Sequence, residues 1–282
     1  MTSWDERERN RGGRGRFTVK ASREADVQLN APVLGFLEEN DLRHVQTQFG
    51  VAEEQVRRDH TISHALAAIS TLGFDDFVFF GGTALSRTHL TGLRLSEDID
   101  LIALGPRTEV ANRMQKVLEK QLRRSLGAAT LTPALAETRH LDPAVLDVGG
   151  HNIQIQLLSS VGYPAWPTEI TNIEQRYRDA PPAKMRVLTP AAFVASKLAS
   201  WHDRAAPRDL YDLWAMAESG MIDREAAAIF IRVGPVSNVD SVPFTNLPTS
   251  AQWKAALGHQ CIIKATPTQA VTAVREAIRR LH

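Results

Sequence analysis

Asp98 and Asp100 stand one residue apart in Asp98-Ile99-Asp100-Leu101-Ile102, where acidic and apolar residues alternate. In an extended strand that period of two sends both carboxylates to the same face. Like charges this close repel and are costly at a partly buried site unless a cation sits between them. Mg²⁺ prefers hard oxygen ligands and is commonly held by one or two carboxylates together with substrate phosphates. Just upstream, Phe77-Val78-Phe79-Phe80 reads as a buried strand that ends in Gly81-Gly82. A glycine pair lets the backbone turn sharply and approach a ligand closely. Thr83 is a plausible N-cap for a helix continuing through Ala84-Leu85-Ser86-Arg87, and free N–H groups at a helix start suit phosphate oxygens. Arg94 and Ser96 fall between the two halves. An anion-binding turn, a cation-binding strand and a nearby guanidinium together suit phosphoryl chemistry. Taken singly, each half has a plain alternative: an ordinary strand-turn-helix, and an exposed edge strand with solvated aspartates.

These residues need a scaffold, and the chain is long enough to supply one. It has 282 residues, 43% of them hydrophobic, so a sizeable core and two lobes are expected. The net charge of +1 does not by itself declare a nucleic-acid binder. The single cysteine, Cys261, excludes an intramolecular disulfide, suits a reducing cytoplasm and reads as a small buried apolar group. No apolar run is long enough to span a membrane, and no apolar segment follows the basic start as a secretory signal requires.

Residues 1–30 are expected to form a flexible basic arm, with Arg11-Gly12-Gly13-Arg14-Gly15-Arg16 at its centre. It is either a solvated tail or a segment that touches RNA phosphates. Residues 32–73 read as helices: one begins at Ala52-Glu53-Glu54-Gln55, Ile62, Leu66 and Ile69 recur at helical spacing, and Gly73 closes it. His60 and His64 are four apart, and their place before the glycine strand favours packing or substrate contact over zinc. After the break at Gly105-Pro106, a helix from Thr108 to Leu126 carries an apolar stripe of Val110, Met114, Val117, Leu118 and Leu122. Its other faces bear Arg113, Lys116, Lys120, Arg123 and Arg124, either a solvated surface or an RNA-backbone contact beside the site. Ala129–Leu131, Glu137–His140, Val145–Asp147 and Ile153–Leu158 read as strands. They lie too close together for crossover helices, so a mixed sheet is expected.

Pro181-Pro182 and Leu188-Thr189-Pro190 mark a linker into a helical lobe. Its first helix carries Lys197 and Trp201. A second, from Pro207, bears Asp209 and Asp212 on one face, where both can reach Lys197 or Arg208. Spacing alone favours an interhelical salt bridge there. Trp253 reads as core, and Thr268–Leu281 as an amphipathic helix with Arg275, Arg279 and Arg280 outward.

Gly81-Gly82-Thr83-Ala84-Leu85 with Arg94-x-Ser96-x-Asp98-x-Asp100 resembles the nucleotidyltransferase-like toxins of the AbiEii/MenT group, within the DNA polymerase β-type superfamily. Val56–Leu66 is similar to the helix that precedes the glycine turn in that group. Lys197-Leu198-Ala199-Ser200-Trp201 and Pro207-Arg208-Asp209-Leu210-Tyr211-Asp212-Leu213 resemble its C-terminal lysine and Arg-Asp-x-x-Asp motifs. The similarity runs from about Val51 to the Trp253 region.

The resemblance implies an α/β fold, with a nucleotidyltransferase-type mixed sheet flanked by helices over 31–178 and a helical domain over 179–282. It implies a metal site at Asp98 and Asp100, Mg²⁺ or alternatively Mn²⁺, and a triphosphate held by Gly81, Gly82, Thr83, Arg94 and Ser96. Lys197 and Asp212 join the active site by the same resemblance, with Asp212 either ordering Lys197 or assisting acceptor deprotonation, while Arg208 and Asp209 orient the helices. A third carboxylate is expected on the strand around 151–157, but this chain offers Gln156, or Gln154, with Asp147 the fallback. The implied activity moves a nucleotide from an NTP to RNA, most plausibly the tRNA 3′ end, to block translation. A separately encoded antitoxin, a monomeric chain and a cytoplasmic setting complete the expectation. The alternatives are transfer to a small molecule or a protein hydroxyl, and a nucleotide-binding regulator with weakened catalysis.

Overall fold

The computed structural model of this protein describes residues 34–139 and 142–282. The basic arm expected at 1–30 lies outside them.

Two helices come first, α1 (Glu39–Phe49) and α2 (Glu53–Ile69). Gly50, at φ 68°, ends α1 in the left-handed conformation that glycine adopts without a Cβ penalty. The expected stop of α2 at Gly73 is displaced: the helix ends at Ile69, and Ser70 and Thr71 bond back to the carbonyls of Ala67 and Ala68. Strand β1 (Phe77–Phe80), the short helix α3 (Gly81–Ser86) and strand β2 (Asp98–Ala103) follow. Helix α4 (Arg107–Ser125) buries Val110, Ala111, Met114, Leu118 and Leu122, four of the five residues of its expected stripe plus Ala111. Of its basic residues, Arg113 is committed to Asp76 at 2.6 Å.

Strands β3 (Ala129–Thr132), β4 (Ala144–Val148) and β5 (His151–Ser159) are the expected ones. The strand expected at Glu137–His140 is not formed. Residues 135–137 turn instead, with Glu137 N–H donating to the Ala134 carbonyl, and His140 lies outside the described residues. Two further strands were not expected: β6 (Thr168–Ile173), and β7 (Ala183–Leu188), which occupies the stretch read as a linker.

The sheet order is β3-β4-β5-β2-β1-β7-β6. β1 pairs antiparallel with β2 and parallel with β7, and β2 runs parallel to β5, so the sheet is mixed as expected. β7 therefore lies between β1 and β6 although it follows residue 178. The site strand β2 is central, and Ile99 and Leu101 are completely buried between its acidic positions.

Five helices complete the chain: α5 (Pro190–Arg204), α6 (Pro207–Glu218), α7 (Arg224–Val233), α8 (Ser250–Leu257) and α9 (Pro267–Arg279). Thr189 caps α5 by accepting the Ala192 N–H, and Pro190 occupies the first turn, where a missing N–H costs nothing. α5 packs on α6 and α7, and α6 packs on α8 and α9. Trp253 and Cys261 are buried, as expected. Leu95 N–H donates to the Gln260 carbonyl, tying the β1–β2 connection to the segment after α8.

Beneath the glycine turn lies a buried charge cluster. Asp59 of α2 pairs with Arg87 at 2.9 Å and with Arg176 at 3.1 Å, and accepts from the Tyr177 hydroxyl at 2.9 Å. Arg176 also donates to the Ser86 and Thr91 carbonyls, so the 174–180 segment holds the C-terminal end of α3 in place.

Candidate active site

The β2–β5 register places Asp98 beside Gln154 and Asp100 beside Gln156. All four line a polar cleft of about 230 Å³, with Gly82, Arg94, Ser96, Lys197, Arg204, Arg208 and Asp209. Alternation along β2 and parallel pairing with β5 are sufficient to put two carboxylates and two amides on one face. Asp147 pairs with Asn152 across β4 and β5 and is not among the cleft residues, which removes it as the fallback third ligand.

The glycine pair fits its carboxylate neighbour closely. Gly81 has φ +77°, and a Cβ there would lie 2.1 Å from Asp100 Oδ2. At Gly82 a Cβ would come within 2.8 Å of Arg94 Nη2 and 3.1 Å of Ser96 Oγ. The glycines thus make room for the site's own side chains. Gly81→Ala is expected to abolish transfer and to cost about 1–3 kcal/mol from the disfavoured backbone alone. Thermal melts alongside an activity assay check this, and near-normal values of both would refute the close fit.

Thr83 is not the N-cap that its sequence suggested. It lies inside α3, whose N-cap is Phe80, and its buried hydroxyl donates to the Asp98 carbonyl, fixing the start of β2. Ser96 is buried at the cleft wall.

Arg94 is held in an ion pair rather than extended freely into the cleft. Its Nε and Nη2 donate to Asp212 Oδ1 and Oδ2 at 2.8 and 2.9 Å. Nη1 donates to the Leu95 carbonyl and to Gln260 Oε1. Lys197 Nζ lies 2.7 Å from Asp212 Oδ2 and 3.0 Å from Asp209 Oδ1. Arg204 closes the chain with two bonds to Asp209, at 2.7 and 3.0 Å. Cations and carboxylates therefore alternate from Arg94 through Asp212, Lys197 and Asp209 to Arg204, and all but Arg204 are buried. The interhelical salt bridge expected from spacing is formed, and the paired Lys197 ammonium lies in the cleft wall.

Asp212 is 1% exposed, with both oxygens engaged. Burial pushes its carboxyl up, but Arg94 and Lys197 outweigh that and hold it below the ordinary range. Its contacts hold the Lys197 ammonium and the Arg94 guanidinium in place. Burial would lower the Lys197 ammonium, yet Asp212 and Asp209 hold it above its usual value, so it stays charged.

Burial also acts upward on Asp209, and Lys197 and Arg204 bring it down from 3.8 to about 2. Asp209 and Asp212 thus have depressed folded-state values. Their contribution to stability is complete above the ordinary carboxylate range and is lost as pH falls through the folded values, from 3.8 towards 2 for Asp209. Circular dichroism across pH 5 to 2 should show this loss, at about 1.4 kcal/mol per pH unit for each proton taken up. Asp209→Asn should flatten the profile, and an unchanged slope would remove the assignment.

The metal-ligand candidates shift the other way. Burial, then the charge of Asp98, push Asp100 up to about 6, against Lys197, Arg204 and Arg208. Burial also raises Asp98, helped by Glu97 and opposed by Arg208, Arg94 and Arg58. Two carboxylates that resist sharing a negative charge, beside two amide oxygens, form a donor set that fits a hard divalent cation.

A family model for the nucleotidyl transferase AbiEii toxin of type IV toxin–antitoxin systems matches residues 64–264, most of the chain and every cleft residue. The chain belongs to the AbiEii nucleotidyltransferase toxin family. Among solved structures it is similar to MenT4, a nucleotidyltransferase toxin from Mycobacterium tuberculosis H37Rv. The identity is 18%, the match covers 86% of this chain and 88% of that one, and the TM-score is 0.61. An antigenic nucleotidyltransferase-like protein from Paracoccidioides brasiliensis matches at 13% identity over 62% of this chain and 87% of that one, with a TM-score of 0.36. Among curated proteins, none matches the sequence.

This AbiEii-family site contains one cation without a motif signal, Arg204, and a second, Arg208, that was expected only to orient helices. Arg204 is two helical turns beyond Lys197 on α5, a spacing that places both on one side of the helix. Arg208 lies in the first turn of α6 and lines the cleft. Asp209, expected only to orient helices, lines it too and bonds Lys197 directly. Among the described residues no helix is long and apolar enough to cross a membrane.

Proposed function

We propose that this toxin-family nucleotidyltransferase moves a nucleotide from an NTP to the 3′ end of tRNA, with Mg²⁺ at Asp98 and Asp100, and so blocks translation until its antitoxin counters it. The observation that carries the reading is the cleft itself: two carboxylates on β2 facing Lys197, Arg204 and Arg208. When bound, the cation would neutralise phosphate charge beside Asp98 and Asp100, with Gln156 or Gln154 as a neutral neighbour.

The chain's own residues supply the rest. Gly82 and Ser96 lie at the cleft wall, where the phosphates would run. Lys197, fixed by Asp209 and Asp212, provides a positioned charge for the triphosphate as it becomes pyrophosphate. Arg204, exposed at the end of α5, is placed to meet an acceptor's phosphate backbone. The acceptor hydroxyl attacks the α-phosphorus, the bond to pyrophosphate breaks, and the hydroxyl proton passes to the cleft carboxylates.

The test incubates the purified protein with each labelled nucleoside triphosphate, Mg²⁺ and total tRNA. Label should enter tRNA and vanish with Asp98→Ala. Label on a small molecule or on protein would replace the acceptor. Nucleotide binding without any transfer would support a weakened regulator, the reading that glutamine in place of a third carboxylate favours.

A further inference from the structure

α2 presents His60 and His64 one turn apart, with ring centroids 4.8 Å apart and planes at 74°. Their partner comes from far along the chain. Asp179, in the segment between β6 and β7, brings Oδ2 to 2.9 Å from both Nε2 atoms, and Oδ1 lies 3.1 Å from the His60 Nε2. The Gly35 amide donates to the same Oδ2 at 3.0 Å. All three side chains are at most 6% exposed, and one ligand atom from each lies within 4.8 Å of the others. The nearby cations Arg87 and Arg176 are committed to Asp59, so the bonds to Asp179 come from imidazoles and an amide.

We propose that His60, His64 and Asp179 form a structural zinc site, separate from the nucleotide cleft. Two imidazole nitrogens and one carboxylate oxygen make a donor set suited to zinc rather than to magnesium, which prefers oxygen alone. Zinc bonds to nitrogen and oxygen of about 2.0–2.2 Å place tetrahedral ligands roughly 3.3 Å apart. The present 2.9 Å contacts then need to open by a few tenths of an ångström, while the ligand atoms as a group, now within 4.8 Å of one another, draw in around the ion. A water from the adjoining cavity of about 490 Å³, which His60 lines with Gly35 and Thr61, supplies the fourth ligand. To bind the cation each ring presents the lone pair of Nε2, with its remaining N–H on Nδ1. The bound cation staples α2 to the 174–180 segment, whose Arg176 holds the end of α3 behind the glycine turn. None of the three ligands lines the nucleotide cleft.

The test adds cobalt(II) to metal-stripped full-length protein and follows the strong visible bands of a four-coordinate ion. One equivalent should bind and be displaced by one equivalent of zinc. The bands should persist in Asp98→Asn/Asp100→Asn, which disables the cleft. They should weaken at least about 100-fold in affinity with His64→Gln or Asp179→Asn, the upper end of what even outer-shell losses cost. Zinc should raise the Tm of the wild type and leave that of His64→Gln unchanged. Should those variants fail to fold, ¹⁵N spectra of wild-type histidine rings decide, since two Nε2 resonances must shift on adding zinc. Wild-type protein without four-coordinate bands, or with both rings unmoved, would reduce the cluster to a proton-sharing His–Asp–His network and overturn the proposal.

Discussion

Asp100→Asn should reduce nucleotide transfer by roughly 10³-fold or more while the protein becomes slightly more stable. The catalytic loss follows from the proposal that this carboxylate and Asp98 hold a cation against developing phosphate charge, where such groups contribute several kcal/mol. The gain in stability follows from the raised value of about 6. A group whose folded value lies above its unfolded value of 3.8 is destabilising when ionised, so at pH 7 the folded state holds that charge at a cost. A neutral isostere relieves it, by on the order of 1–2 kcal/mol once screening at the open cleft is allowed for. The relief should vanish as pH falls from 6 to 4, because wild-type Asp100 is then protonated in the folded state. Transfer assays and paired melts at pH 7 and pH 5 measure both effects. A variant that keeps transfer within tenfold of wild type, or that melts well below it, would sink the assignment of Asp100 as a cation ligand.

Asp212→Ala should be the most damaging change in the helical half of the site. It leaves Arg94 and Lys197 buried, at 2% and 6% exposure, without the carboxylate that both contact. Breaking a buried pair from one side costs about 3–5 kcal/mol, because the remaining charge stays desolvated. For a chain of this size that corresponds to a Tm lower by on the order of 10 °C. Transfer should fall as well, since Lys197 loses one of the two anchors that hold its ammonium in the cleft. Arg204→Ala offers the contrast: its side chain is 64% exposed, so its ion pair with Asp209 should matter little to the melt, within about 1 kcal/mol. A drop of less than about 2 °C for Asp212→Ala would show that the ion-pair chain does not hold the two halves of the site together.

Much of this site was legible in the sequence because its logic is local. Asp98 and Asp100 share a face for the simple reason that a strand has a period of two. Phe77–Phe80 and the glycine pair announce the turn before them through composition. The strand at Ile153–Leu158 was also readable, but its register left Gln156, Gln154 and Asp147 open until the pairing put Gln156 beside Asp100 and Gln154 beside Asp98. Other features lacked a local signal. β6 is an edge strand that leaves Ile170 exposed, so its alternation is weak, and β7 is stabilised by a parallel partner more than a hundred residues away. Thr83 has an N-cap's residue type, but a hydroxyl chooses its acceptor in space, and β2 offered the Asp98 carbonyl.

By itself, then, the sequence determined the carboxylate pair, the glycine turn, the α/β class and, through its ordered motifs, the toxin-family resemblance. These follow from backbone periodicity, the missing Cβ of glycine and residue chemistry, all of which act within a few residues. Only the tertiary structure decided that Arg94, Asp212, Lys197, Asp209 and Arg204 form one alternating chain, and that Asp179 closes on His60 and His64. The physical reason is that charge pairing and burial depend on distance in space. Contacts spanning about a hundred residues exist only once the sheet and its helices have packed.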